Sequence, residues 1–539
     1  MRCLVFWIEI LVLSLFRLFR DSSRSSVSVV WKSFSLAGNN LFLCNTISNA
    51  TTKLQQPKKP DQPTTMSSSP FAALQAAAID GRTHSIYYRQ QQLETLHQAL
   101  LNHSSEIKQA IAADTDHTPA EIAIEIHLAL SALKASYETL QPTKALADEY
   151  LIASGKDAPT NRVPYGIAYI EPCTHTLLYS VVAPLSAAIA AGNCVIVLVS
   201  RLQKNPSPST LLTTLRQLEN NLRTLTSVLR SLFQSSLHPD TFAIASSPIR
   251  DTAILNSALV IDQNSSECWP RANVLASPSR SRVFAIVDRT ADVKLAAREL
   301  VAARYAFGGS SPHAPDLVLV NEFVKAEFLQ AAGEETRRLS DGARSEKAKG
   351  SSELSGAIEK FKKGDPKVQV VLEEAGAVVL DLPARRGEML EVKTEAPVLA
   401  VHAVKSLDDA IDFLGSAEGG PALAAYHFGN AQVGKYLAQF VDARASFVNH
   451  IPRDLLVGPA RPVTQFADAS ATYTVDMFSV SRPAFITPST SSSEIAAAMS
   501  SASGSHKLLE SALSPLKAMK RKPGGGVGMI LLAEFLFPV

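Results

Sequence analysis

The chain of 539 residues has room for two to four domains at about 150 residues each. Its 46% hydrophobic and 19% charged content is that of a protein with a sizeable packed core, which excludes a disordered or fibrous chain. A net charge of +2 offers no footing for nucleic acid, and Cys3, Cys44, Cys173, Cys194 and Cys268, scattered without a CxxC pair, fit a reducing compartment and exclude a disulfide framework and a metal site.

The chain begins MRCLVFWIEILVLSLFRLFR, an apolar run broken by Glu9 and too short for an ordinary membrane span. A polar, proline-bearing stretch follows, and domain-like text starts at Met66, so residues 1–65 are expected to be a disordered or signal-like extension. From Phe71 to about Leu140 the pattern is helical, with Leu93, Leu96 and Leu100 on one stripe and Ile107 and Ile111 continuing it. Thr118-Pro119-Ala120-Glu121 supplies an N-cap, a proline at the first helical position and a reciprocal glutamate. Ile122, Ile126, Leu130 and Leu133 form the buried face of the helix that it starts.

After Val163 the text alternates between strand and helix. PYGIAYIEP is a short β-run, TLLYSVVAPLSAAIAAGN an apolar helix stopped by Gly192-Asn193, and CVIVLVS a buried parallel-type strand. A helix near 207–234, the runs TFAIA, ALVID and FAIVD, and a second set of helices and strands through FVNH extend the pattern. This alternation predicts an α/β protein with mostly parallel sheets. The Ser/Ala-rich stretch from Thr487 reads as a flexible tail ending in a short apolar run broken by Glu534.

Several blocks, in order, resemble one family. VPYGIAYIEP…APLSAAIAAGNCVIVLVS, AFGGSSPHAPD, PVLAVHAVKSLDDAIDFLGS…PALAAYHFGN and FVNH are similar to the aldehyde dehydrogenase superfamily, and especially to its class-3-like, fatty-aldehyde branch. The likeness runs over roughly residues 70 to 480. It implies an α/β aldehyde dehydrogenase-like fold: a Rossmann-like cofactor-type domain over 66–276 with an oligomerisation arm near 156–165, a catalytic-type α/β domain over 277–468, an oligomerisation strand region at 469–486, and a tail at 487–539. It further implies NAD or NADP as cofactor and a homodimer joined through Lys156–Tyr165 and strand material near Ala469–Val480. The expected location is cytoplasmic. The alternative is membrane association through residues 1–20 or the C-terminal tail.

The family's reaction needs a thiolate that attacks the aldehyde, an asparagine amide that steadies the oxyanion, and a glutamate that activates water. The resemblance puts Pro312 at the thiol position, in Gly309-Ser310-Ser311-Pro312-His313-Ala314-Pro315-Asp316. It puts Pro278 at the glutamate and His175 at the asparagine. On the cofactor side, Lys-Pro-Ser-Glu becomes Leu198-Val199-Ser200-Arg201, and Glu-Ile-Phe-Gly-Pro becomes Lys393-Thr394-Glu395-Ala396-Pro397. The glycine-rich pyrophosphate turn has no glycine counterpart in DQNSSECWPRANVLAS.

Three readings compete. In the first the protein keeps the scaffold and lacks the dehydrogenase activity. In the second it is an active NAD(P)-dependent enzyme with relocated residues, Cys173 beside His175 being the thiol–imidazole candidate. Within that second reading, His313 beside Ser310 and Ser311 suggests a hydrolase, without an acid partner or a nucleophile elbow to support it. In the third, the gene model is damaged and the true protein is an ordinary dehydrogenase.

Overall fold

The structure, a computed structural model, describes residues 71–199, 223–266, 270–342, 368–374, 376–385, 390, 393–415, 420–463 and 472–517. All of them lie in one compact unit, Ser67–Val539. Expectations placed on residues 1–65, Ser200, Arg201, Cys268 and the terminal apolar run fall outside the described residues.

Five helices open the described chain: α1 (Ala72–Ile79), α2 (Ile86–Asn102), α3 (Ser104–Asp114), α4 (Pro119–Glu138) and α5 (Pro142–Glu149). The predicted capping box of α4 forms. Thr118 accepts from the Glu121 N–H, and the Glu121 carboxylate accepts from the Thr118 N–H at 2.8 Å. Strands β1 (Arg162–Pro164) and β2 (Ile167–Glu171) lead to α6 (Leu177–Ala191) and β3 (Cys194–Leu198). Helix α7 (Thr224–Ser236), β4 (Phe242–Ala245), α8 (Thr252–Ser257), β5 (Ala258–Asp262) and β6 (Val274–Ala276) complete the first sheet, which has the order β4-β3-β2-β5-β6 and is parallel throughout.

Every residue of α6 is buried, as expected of a helix that is apolar on all sides. Its two irregularities are both met by distant side chains. Thr176, at its start, has a left-handed φ of 45° and makes no side-chain cap bond; instead Glu125 of α4 reaches over, and its carboxylate accepts from the Leu178 N–H at 2.9 Å. Pro184 inside the helix has no N–H for the Ser180 carbonyl four residues back. The Gln263 amide donates to that carbonyl at 2.7 Å.

The second sheet has the order β13-β12-β7-β8-β11-β10-β9. Its strands are β7 (Val283–Val287), β8 (Leu317–Asn321), β9 (Gln369–Glu374), β10 (Ala377–Asp381), β11 (Val398–Val404), β12 (Ala424–Phe428) and β13 (Ser446–Val448), parallel except for the β9 edge. Helices α9 (Val293–Tyr305), α10 (Lys325–Gly342), α11 (Leu407–Gly415) and α12 (Ala431–Phe440) accompany it. Apart from both sheets, β1 pairs antiparallel with β14 (Ser479–Ser481), extended by a bridge from Ala158 to Ala484.

The stretch from Thr487, expected to be a flexible tail, instead carries α13 (Thr490–Ser500) and α14 (Ala502–Ala512). The serines that made it look like linker are the caps: Ser489 accepts from the Ser492 N–H, and Ser501 from the Gly504 N–H. Alanines between them are the best helix formers.

Candidate functional site

Helix α9 ends at Tyr305 and the backbone then turns left-handed at Phe307, Gly308 and Gly309, with φ of 52°, 63° and 74°. At Gly309 a side chain is disfavoured on two counts. The backbone is left-handed, and a Cβ would stand 2.5 Å from the Ala396 carbonyl carbon and oxygen. The loop lies that close to the 393–397 turn because one side chain ties them. Arg304, fully buried in the last turn of α9, donates to the carbonyls of Ala396 (2.9 Å), Gly309 (2.8 Å), Thr394 (2.8 Å) and Pro315 (3.2 Å). Its guanidinium also stands 3.6 Å from the Asp316 carboxylate. That carboxylate accepts from the Val283 N–H at 2.8 Å and the Thr394 N–H at 3.0 Å.

Pro312 is buried within this framework. Its carbonyl accepts from the Lys393 ammonium at 2.7 Å, and the same ammonium reaches the Ser281 carbonyl at 2.7 Å and Asp316 at 3.5 Å. Ser281 closes the turn that begins at buried Pro278, its N–H donating to the Pro278 carbonyl at 3.1 Å. The segments carrying the two prolines are therefore pinned together by Lys393. Desolvation lowers the Lys393 pKa, and nearby Asp316 and Glu395 oppose that shift. His313 is buried too, and its pKa falls to about 3, through burial first and then the charges of Lys393 and Arg461.

His175 comes to the same loop from the other side. Its Nδ1 lies 2.9 Å from the Ser310 hydroxyl and its Nε2 2.8 Å from the Leu456 carbonyl. The Phe307 ring stands edge-on to it at 5.6 Å. Cys173, two residues earlier, is 7% exposed and directs its thiol to the backbone carbonyl of His175 at 3.2 Å. Its sulfur also lies 3.1 Å from the Ser180 hydroxyl. The spacing of two residues thus leads the thiol to the carbonyl of His175, while both ring nitrogens bond elsewhere.

The first sheet has its topological switch point between β2 and β5, where an open parallel sheet leaves a crevice for a nucleotide. Here the chain's own amides cross that place. Gln263, just after β5, accepts from the Cys173 N–H at 2.9 Å and donates to Ser180 of α6. Asn264 donates to the Pro172 carbonyl after β2 at 3.1 Å, and the Ser265 carbonyl accepts from the Ser279 N–H at 3.1 Å. Between β5 and β6 no helix occurs among the described residues, so none of them supplies an anion-binding helix end there. Leu198 is buried at the end of β3, and Glu395 is half-buried beside the Lys393 and Arg304 cations. These groups do not fit a dinucleotide: the sequence there has no glycine turn, the described residues between β5 and β6 hold no helix N-terminus to take a pyrophosphate, and the Lys393 ammonium is committed to protein oxygens.

Sequence reasoning missed Arg304, Gln263 and the role of Asp316. An arginine in the last turn of a helix just before a glycine pair was the only local signal for the first. The other two had none, because their partners are far away along the chain.

Comparisons with known proteins agree with this architecture. The model of the aldehyde dehydrogenase family matches residues 67–218. The 4,4'-diaponeurosporen-aldehyde dehydrogenase of Staphylococcus aureus is 25% identical over 276 residues, 48% of this chain and 55% of that protein. Aldehyde dehydrogenase family 3 member A2 of Mus musculus is 23% identical over 406 residues, 69% of this chain and 77% of its own length. Among solved structures, the substrate-bound state of Staphylococcus aureus AldH superposes with a TM-score of 0.58 at 18% identity, covering 86% of this chain and 98% of that one. The fold is the aldehyde dehydrogenase fold, with a Rossmann-like parallel sheet and a second α/β sheet.

Proposed function

We propose, from the premise that this chain is a divergent member of the aldehyde dehydrogenase family on its class-3-like side, that it keeps the family scaffold and lacks the family's NAD(P)-dependent oxidation of aldehydes. The observation that carries this reading is the closed switch point. Gln263 and Asn264 bond across the place where a dinucleotide would enter, and the described residues of the β5–β6 connection offer no helix end for its phosphates. A nucleotide would have to break those bonds and leave the buried Gln263 amide and its backbone partners unsatisfied, which costs about 1–3 kcal/mol for each group.

The residue types agree. Proline at 312 and at 278 supplies neither nucleophile nor base, and the imidazole of His175 is already bonded at both nitrogens. A dehydrogenase built on Cys173 would need a thiolate. That thiol is buried against a carbonyl and a hydroxyl, an environment that favours the protonated form. The protein acts, on this reading, as a binding or assembly member of its family. Its dimer forms through the β1–β14 ribbon, beside which Val480, Phe485 and Ile486 are exposed.

Calorimetric titration of the full chain with NAD and with NADP, alongside an assay of aldehyde-dependent NADH and NADPH formation, tests the proposal. No saturable binding at millimolar nucleotide and no turnover above a heat-killed control are expected. Either binding or turnover overturns it. Light scattering after size exclusion checks the dimer, which Phe485→Glu should dissociate.

A further inference from the structure

We propose that Ser310 and His175 form a nucleophile–base pair that takes an acyl group from small activated esters, without any nucleotide. Residue neighbourhood in the chain pointed to His313 as the imidazole beside the serines. The fold selects the one 135 residues away. His313 is fully buried, and the Ser311 hydroxyl, 2% exposed, accepts from the His313 N–H at 3.3 Å. Ser310 is half-buried next to exposed Gly308, so it can be reached from solvent.

The protonation pattern follows from the partners. The Leu456 carbonyl can only accept, so the Nε2 bonded to it carries the imidazole proton. In the neutral ring Nδ1 is then an acceptor, and it faces the Ser310 hydroxyl at 2.9 Å. That hydroxyl has one proton and two acceptors in reach, Nδ1 and the Phe307 carbonyl at 2.8 Å. The arrangement is serine, histidine and an orienting oxygen, the logic of an activated hydroxyl with a backbone carbonyl as third member. The edge of Phe307 and the Leu456 carbonyl hold the ring in place.

The step balances without an oxidant. Ser310 Oγ bonds to the ester carbonyl carbon as its proton passes to His175 Nδ1. The bond from that carbon to the alcohol oxygen breaks, and the proton leaves with the alcohol. Water then attacks the acyl-serine, giving a proton to Nδ1, and collapse returns that proton to Oγ. The sum is ester plus water giving acid plus alcohol.

The experiment treats the full chain with p-nitrophenyl acetate, follows nitrophenol release, and maps the acetyl group by peptide mass spectrometry. A burst of release with acetyl on Ser310 is expected. Ser310→Ala should abolish acylation. His175→Gln should slow it by about 100-fold, whereas Ser311→Ala should leave it unchanged. Melting curves confirm that each variant is folded. Acylation at another residue, acylation undiminished in folded Ser310→Ala, or no acylation of the wild-type protein overturns the proposal. The assay contains no nucleotide, so its failure leaves the reading of a silent dehydrogenase standing, and nucleotide binding would overturn that reading alone.

Discussion

The framework around Arg304 and the connection between β5 and β6 are built on different principles. Around Arg304 each polar group satisfies another group of the chain: four carbonyls and Asp316 face the guanidinium, and Asp316 in turn holds two backbone N–H groups. Taking away one member leaves the others buried and short of a partner. Between β5 and β6 the groups that the family resemblance implies, glycines and a helix end, would serve a ligand rather than one another. Their place is filled by amides that bridge neighbouring strands. Groups that satisfy each other keep a scaffold in being without any reaction to perform, and groups that serve a ligand do not.

The strongest test of this contrast is a pair of substitutions. Arg304→Met should cost about 3–5 kcal/mol, because it leaves Asp316 as a buried charge without its guanidinium, and much of the protein should be lost from the soluble fraction. Gly309→Ala should be comparably damaging, since the new Cβ meets backbone at 2.5 Å. Gln263→Leu should cost about 1–3 kcal/mol through the lost bonds to the Ser180 carbonyl and the Cys173 N–H. Urea unfolding of the variants decides the matter, and equal costs at Arg304 and Gln263 would dissolve the distinction.

Titration gives the next test. His313 and His427 have pKa values lowered by burial to about 3 and about 4 from 6.5. The stability that each neutral ring contributes is present above pH 6.5 and lost as the pH falls toward those values, because the unfolded chain takes up the proton first. Glu125, the cap of α6, behaves oppositely. Burial raises its pKa to about 7 from 4.5, so its contribution is full below pH 4.5 and is lost as the pH rises through about 7. Between pH 4.5 and 6.5 the effects oppose, each group with a limiting slope of about 1.4 kcal/mol per pH unit, and the two histidines outweigh the one glutamate. Wild-type melting temperature should therefore fall as pH drops across this window. Glu125→Gln should steepen the fall and His313→Gln should flatten it. A slope unchanged by both would mean that these burials persist in the unfolded chain.

The smallest expected effect is on aldehyde oxidation. Pro312→Cys returns a thiol to a loop whose geometry is intact, and the triple variant with Pro278→Glu and His175→Asn returns base and amide. Neither should form NADH above a heat-killed control, because the switch point stays bridged. Robust NADH formation by either would show that the bridge yields to nucleotide.

Much of this molecule was legible in its residues because the signals were local. The Thr118–Glu121 capping box is local and reads directly, as do the largely apolar α6 and its Gly192 stop. The C-terminal helices were misread since serine at an N-cap and serine in a linker look alike until the next turn of helix is in place. Proline at 312 and at 278 is plain from composition alone, and no fold can give a proline side chain a nucleophile or a base.

Which groups meet was a different matter. Arg304 reaches oxygens about ninety residues along the chain, and His175 finds Ser310 rather than its neighbour Cys173 or the histidine beside the serine. Hydrogen bonds are directional and act over about 3 Å, so their partners are set by how strands and helices stack, which no run of neighbouring residues encodes. The sequence alone determined what chemistry each position could offer, and the tertiary structure decided which of those offers are taken up by the protein itself.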